Sequence, residues 1–322
     1  MCVAWIEGTT GAIRTLDERN LGWPTPSIPT RSPSWKSLLR VLFCLIHDRY
    51  RRLNPRGARR YESIKRLSDS ESITLALLQQ LRGVESERSF LRDAQRFFAH
   101  LFPGVVGLHP SSLHRRVRGL RRFLEPLRRA ILGELVGDPE TLIVDSTLLE
   151  VLHPRQVSQS AGFEGAAWVR WGSFAVYGVK LHLLCATNRI PLSYELTAAN
   201  VADALLVREL VAGAGAGLVE GDLARRLLGD LAYRGGELAA ELARSGILLA
   251  TEKADGRPPI RQQVEVCFAA LKKRVFGMDG TLAKTLVGLA TRIAAKVAAY
   301  TYGCYINRLL GRTQGRIREL WA

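Results

Sequence analysis

Three carboxylates and a handful of cations carry the chemistry open to this sequence. Asp145 closes the apolar run Leu142-Ile143-Val144, and Asp230 closes Leu227-Leu228-Gly229 in the same way. Further on, Arg261, Glu265 and Lys272 are spaced 4 and 7 residues apart, so a helical period of 3.6 places all three on one stripe. The opposite stripe, Val264, Cys267, Phe268, Leu271 and Val275, reads as a core-packing face. A carboxylate at the end of a buried strand projects from a rigid scaffold and is costly to bury without a cation. Three of them converging repel one another, and a divalent ion with oxygen ligands removes the conflict. Two such ions about 3.5–4 Å apart can activate an attacking oxygen and stabilise a leaving one. The alternative for either aspartate alone is a turn or cap residue.

The rest of the composition says what such a site would act on. The 322 residues carry a net charge of +16, with pI near 10.2 and arginine far commoner than lysine. A field of that sign favours phosphate-backbone partners, and the planar guanidinium fork matches phosphate oxygens. The apolar fraction of 47% is enough for a large core. Five cysteines, Cys2, Cys44, Cys185, Cys267 and Cys304, are scattered and form no CxxC pair. They read as buried thiols of a reducing compartment, neither a disulfide framework nor a zinc site. No secretory start is visible, and the apolar stretch Leu282–Leu310 is interrupted by Lys284, Arg292 and Lys296, which makes it a core helix and not a membrane span. The expected location is cytoplasmic.

The elements that must hold the carboxylates follow from periodicity. Residues 1–33 are aperiodic and Pro-rich, a lead-in expected to be disordered. From Ser34 to about Gly137 everything reads helical: a helix from about Trp35 through Tyr50, another behind the caps of Ser68-Asp69-Ser70-Glu71, and a third with Phe90, Leu91, Phe97 and Phe98. Pro110-Ser111-Ser112 opens a basic helix with Arg115, Arg116, Arg118, Arg121 and Arg122, and a further helix is expected after Pro126 with Arg128 and Arg129. Short helices, a Pro/Ser turn and an arginine-studded last member suggest a helix-turn-helix-like module, against the alternative of a solvated basic face.

From Thr141 the pattern becomes mixed: a short strand ending at Asp145, a long strand over Ser173–Ala186, and its hairpin partner over Ile190–Leu196, turned at Asn188-Arg189. A helix over Asp203–Val211, a strand at Arg226–Asp230, a helix after Gly235-Gly236 and a strand at Ile247–Ala250 follow. The fold class expected is α/β, a mixed sheet flanked by helices behind an all-helical N-terminal part. Asn200 and Asp203 read as the turn and N-cap of a helix, His182 as a satisfied core histidine, and Trp168 and Trp171 as loop anchors or stacking platforms.

The runs Ile143-Val-Asp145-Ser-Thr, Gly229-Asp230-Leu-Ala-Tyr233 and Arg261-x3-Glu265-x6-Lys272 resemble the DDE transposases of bacterial insertion sequences, as do Tyr177-Gly-Val-Lys-Leu-His182 and Leu196-Thr-Ala-Ala-Asn200-Val-Ala-Asp203. The family often has a tyrosine three residues before the arginine, where this chain has Pro258. The resemblance covers about Ser68 to Leu310. It implies a ribonuclease-H-like catalytic domain over 138–310 with a C-terminal helix, behind a helical DNA-binding domain over 34–137 and before a basic tail over 311–322. It also implies that Asp145, Asp230 and Glu265 bind Mg2+ or Mn2+, two ions in all. Arg261 and Lys272, with Lys273 beside them, would hold the phosphates of the element's ends. The expected activity is metal-dependent cleavage and strand transfer on double-stranded DNA, by a homodimer working at the nucleoid. Another ribonuclease-H-like nuclease, or a DNA-binding regulator without activity, remain as alternatives.

Overall fold

The computed structural model describes residues 34–56, 65–157, 162–215, 225–251, 262–274, 276–279 and 282–320. Arg261 and the lead-in therefore lie outside the described residues, as do Val275 and the side chain of Lys273. Among the described residues the first α-helices are α1 (Trp35–Leu53), α2 (Asp69–Leu81), α3 (Glu87–Phe97), α4 (Pro110–Arg129) and α5 (Leu132–Val136). The expected caps of α2 form a reciprocal box. The Ser68 amide donates to Glu71 Oε2 at 2.7 Å, and the Glu71 amide donates to Ser68 Oγ at 3.2 Å, which satisfies two donors no helical bond can reach. Nearly every residue of α2 is buried, polar ones included, and Ser72 and Thr74 satisfy their hydroxyls on the carbonyls four residues earlier.

Asp69, at the start of α2, is held by three partners. Tyr50 Oη donates to it at 2.7 Å, Lys65 Nζ lies 3.3 Å away, and Arg116 of α4 pairs with it. Burial, followed by the Asp69 carboxylate, pushes the Tyr50 hydroxyl up to about 12. Arg116 is thereby engaged in packing α4 on α2. Arg115, Arg118, Arg121 and Arg122 lie along α4 away from that contact, with Arg122 4.9 Å from the centre of the Phe123 ring.

The helix break expected at Pro126 is absent. Proline lies inside an uninterrupted α4, and Arg128 beyond it is buried, not a surface cation. Arg128 donates to Glu125 Oε2 at 2.8 Å, to Leu192 O at 2.7 Å and to Pro191 O. Burial alone would push the Glu125 carboxyl up; Arg128 and Arg129 overcome this and hold it below the usual carboxylate range. One guanidinium thus ties the end of α4 to the sheet.

That sheet begins with β1 (Thr141–Leu152) and continues through β2 (Ala167–Trp171), β3 (Phe174–Ala186), β4 (Pro191–Ala198), β5 (Arg225–Gly229) and β6 (Ile247–Thr251). The spatial order is β2-β3-β1-β5-β6, with β4 also on β3. β3 is long enough to pair with β2 along its first half and with β4 along its second. The β3–β4 turn places Arg189 at φ 70°. Ladders among β1 to β4 are antiparallel, whereas β1–β5 and β5–β6 are parallel. β2 was not expected: its two tryptophans read as loop anchors, and the five-residue strand is too short for alternation to show.

Helices cover both faces, completing the mixed α/β arrangement. Leu142, Val144, Leu184 and Leu192 pack beneath α7 (Val207–Ala214) and α8 (Gly236–Arg244), after the short helix α6 (Pro154–Val157). Ile143, Leu149, Leu181, Leu183 and Cys185 face α9 (Gln262–Ala269) and α10 (Leu286–Leu309), in one cluster that also takes in the cores of α1 to α5. α10 is the expected core helix, capped by Thr285 Oγ1, which accepts from the Gly288 amide at 3.2 Å. Its Lys296 is buried and donates to the carbonyls of Phe276 and Gly277. Burial lowers that ammonium to about 8. Among the described residues no helix is long and apolar enough to cross a membrane.

Removing one partner of a buried, hydrogen-bonded ion pair costs about 3–5 kcal/mol, whereas exposed substitutions stay within about 0.5 kcal/mol. Urea denaturation should therefore show Arg128→Ala strongly destabilised and Arg118→Ala near wild type.

Candidate functional site

The parallel ladder between β1 and β5 pairs Thr141 with Arg226, Leu142 with Leu227 and Ile143 with Leu228. Two residues beyond that last pair stand Asp145 on one strand and Asp230 on the other. Strands alternate their side chains, so Asp145 falls on the face of Ile143, while Asp230 stands just past the end of β5, beyond Leu228 on the neighbouring strand.

The strand end expected at Asp145 is corrected. β1 runs on to Leu152 because β3 keeps pairing with it, and only the parallel pairing with β5 stops before Asp145. Asp145 Oδ1 accepts from the Ser146 amide at 2.8 Å. Asp230 does leave its strand and caps the turn Leu231–Tyr233, accepting from the Ala232 amide at 2.9 Å. Tyr233 then folds back over the strand end. A Cβ on Gly229 would lie 2.8 Å from Tyr233 Cδ2, so only glycine fits before the aspartate.

Glu265 lies on α9, which packs against β1 through Val264, Cys267 and Phe268, the buried stripe expected from the sequence. Glu265 itself is exposed. The single stripe drawn through Arg261, Glu265 and Lys272 does not survive to Lys272, because Ala270–Arg274 form a π turn. A wider turn rotates the residues beyond it, and such turns are frequent at functional sites. Lys272 Nζ donates to Thr147 Oγ1 at 3.1 Å and Leu148 O at 3.0 Å, and lies 3.3 Å from Asp279. Its charge is committed to joining the end of α9 to β1.

Among the described residues no three His, Cys, Asp or Glu side chains come together as a metal-holding group. Asp145 and Asp230 stand at the ends of the paired segments of neighbouring strands, with Glu265 on the helix packed against β1. Two hard oxygen donors from neighbouring strands still fit a magnesium-like ion, which is commonly held by one or two carboxylates while phosphate oxygens and water complete its shell.

On the other face of the sheet from Asp145 lies a polar group that sequence reasoning passed over. Asp203 is the first residue of a 3-10 turn, Asp203–Leu206, and its side chain caps nothing, which corrects the cap reading. It accepts instead from Lys180 Nζ at 2.9 Å and lies 3.6 Å from His182 Nδ1. Lys180 also donates to Val201 O at 2.8 Å. His182 is fully buried, with Nε2 2.8 Å from Thr197 Oγ1. Burial lowers its imidazole to about 4, against the pull of Asp203. The available signal was alternation on β3: Lys180 and His182 share a face with Leu184 and Ala186, and a buried cation there calls for an acid.

A family model described as transposase DDE domain matches residues 136–302. It spans more than half of the chain, from the end of α5 into α10, and the chain belongs to that family. No curated protein matches it by sequence. Among solved structures, a piggyBac transposase synaptic complex with hairpin DNA is similar at 11% identity and a TM-score of 0.42, over 87% of this chain and 76% of that one. A Mos1 mariner paired-end complex with Mn is similar at 10% identity and a TM-score of 0.32, over 88% and 99% of the two chains.

His182 supplies a pH test. Its ordinary value is 6.5 and its folded value about 4, so the unfolded chain takes the proton first. The stability tied to neutral His182 is whole above pH 6.5 and is lost as pH falls toward 4, by up to about 3 kcal/mol at about 1.4 kcal/mol per unit. Urea denaturation at about pH 7.5 and about pH 4.5 should show a smaller acid loss for His182→Gln than for wild type.

Proposed function

We propose that this chain is a DNA transposase of the insertion-sequence type, which binds the ends of an element and carries out strand cleavage followed by strand transfer. The observation that carries the reading is the equal register of Asp145 and Asp230 on adjacent parallel strands, in a strongly basic chain of the transposase DDE family. The sheet, with β1 to β4 paired antiparallel and β5 and β6 added in parallel beside β1, supports a ribonuclease-H-like core.

Asp145 and Asp230 would hold the divalent ions, Mg2+ or Mn2+, with Glu265 as the third carboxylate. Bound there, the metal supplies charge neutralisation at the phosphate and activation of the attacking oxygen. The protein's own part is placement. The β1–β5 register brings the two aspartates near each other, while Lys272 fixes the helix that carries Glu265 against β1. Arg115, Arg118, Arg121 and Arg122 offer a row of guanidiniums along α4 for the DNA backbone, and Arg261 and Lys273 would add phosphate contacts near the cut. Water opens the phosphodiester at the element's end, and the freed 3′-hydroxyl attacks target DNA. No side chain need act as a covalent nucleophile. Cutting and joining two ends implies a homodimer on DNA, in the cytoplasm with the nucleoid.

Asp145→Asn should retain binding to end DNA in gel-shift assays and lose metal-dependent nicking altogether; undiminished nicking would sink the site. A supply of 3′-hydroxyl ends should yield joined products, and a chain that only cuts would be a simple nuclease instead. Arg118→Ala with Arg122→Ala should weaken end binding and lower the slope of log affinity against log salt by about 2, at about 0.9 for each phosphate no longer neutralised. An unchanged slope would take α4 out of the DNA interface.

A further inference from the structure

Gly119 stands in the middle of α4, a helix of 20 residues, and nothing in the packing asks for it. A Cβ built there would meet no atom within 4 Å, so no neighbour needs the space. Its φ is not positive, so the backbone does not need glycine either. In a helix interior glycine is weaker than alanine, since it has more conformational freedom to lose.

The outward stripe of α4 reads Arg115, Gly119, Arg122, Pro126 and Arg129, spaced 4, 3, 4 and 3 apart, and all five are exposed. The two residue types least suited to a helix interior thus both face solvent on this one stripe. The cations around the glycine are free of acids. Arg116, Arg128 and Arg129 are paired with Asp69 or Glu125. Among the described residues, Arg115, Arg118, Arg121 and Arg122 make no ion pair. Glu125 is the one acid in α4, and it is already held by Arg128 and Arg129. Arg115 and Arg122 flank Gly119 on either side, about 10 Å apart along the axis. Between them is a gap with no side chain in it.

We propose that Gly119 is the point of closest approach between α4 and duplex DNA. The sugar-phosphate backbone lies against the helix main chain at the gap, and Arg115 and Arg122 take phosphates to either side of it. Glycine suits a place where a backbone must come close to a ligand, and the guanidinium fork matches phosphate oxygens. The inference rests on the reading of α4 as a DNA-binding surface, and it adds where the duplex seats. Stability and binding then pull this position in opposite directions. A side chain at 119 strengthens the helix and props the DNA away from it.

The experiment compares urea denaturation and gel-shift affinity for end DNA in full-length Gly119→Ala and Gly119→Leu. Both variants should unfold at higher urea than wild type, because the site has room and the helix gains. Affinity should fall with side-chain size, several-fold for alanine and roughly tenfold or more for leucine, although no charge has changed. The leucine variant should also show a flatter salt dependence while keeping every arginine. Gly133→Leu, at an exposed glycine of α5 equally clear of neighbours, should bind as wild type does. If Gly119→Leu does not fold, Gly119→Ala carries the test by its opposed shifts in stability and affinity. Unchanged affinity in a more stable Gly119 variant, or an equal loss in Gly133→Leu, overturns the inference and leaves the arginine row standing. Size-graded loss in a chain that cuts no DNA sustains it and defeats the transposase reading. Failure of wild type to bind duplex DNA overturns both.

Discussion

Two carboxylates fixed side by side on a protein sheet are a charge conflict that the surrounding structure has to manage. Backbone pairing brings them near each other: the ladder that joins Ile143 to Leu228 ends two residues before Asp145 and Asp230. The local hydrogen bonds from the Ser146 and Ala232 amides each offset part of that charge. So does the basic excess of the chain at large. In the proposed function, an anionic notch in a cationic molecule would attract divalent cations and let the rest of the surface approach a polyanion.

Several neighbouring features serve the same notch. Gly229 lets Tyr233 close over the strand end, and the Tyr233 ring belongs to the apolar cluster beneath α7 and α8. The π turn after α9 lets Lys272 reach the backbone of β1. Of the thiols expected to be buried, Cys44 is only partly so, while Cys185 and Cys267 lie against each other between β3 and α9, and mutual contact and burial push the Cys185 thiol well up. They pack as small apolar groups.

How much of this could be read from the chain depended on the range of the interaction. Local signals pointed to the right elements: the Ser68–Glu71 box, the hairpin turned at Arg189, the apolar stripe of α9, and the lysine-interrupted core helix. Interactions across long stretches of sequence escaped. Nothing near Asp145 says that β3 will go on pairing beyond it, so β1 looked short. Nothing near Arg128 says that carbonyls of β4 will receive it, so it looked like one more surface cation. Asp203 was mistaken because an acid before a helix usually caps it, and the competing partner, Lys180, lies on a strand 23 residues earlier. Asp145 and Asp230 stood out as candidates because each follows a run of buried residues, whereas the exposed position of Glu265 follows from helix packing alone.

Arg128 has a mechanical side. It clamps the last turn of the helix bearing the arginine row to β4, and β4 is zipped to the half of β3 that holds Lys180 and His182. A pull on that row is therefore delivered as shear into the strand beneath the acidic notch, with no soft joint on the way. Whatever grips the outer surface of α4 has a stiff handle on the spacing of the charges inside.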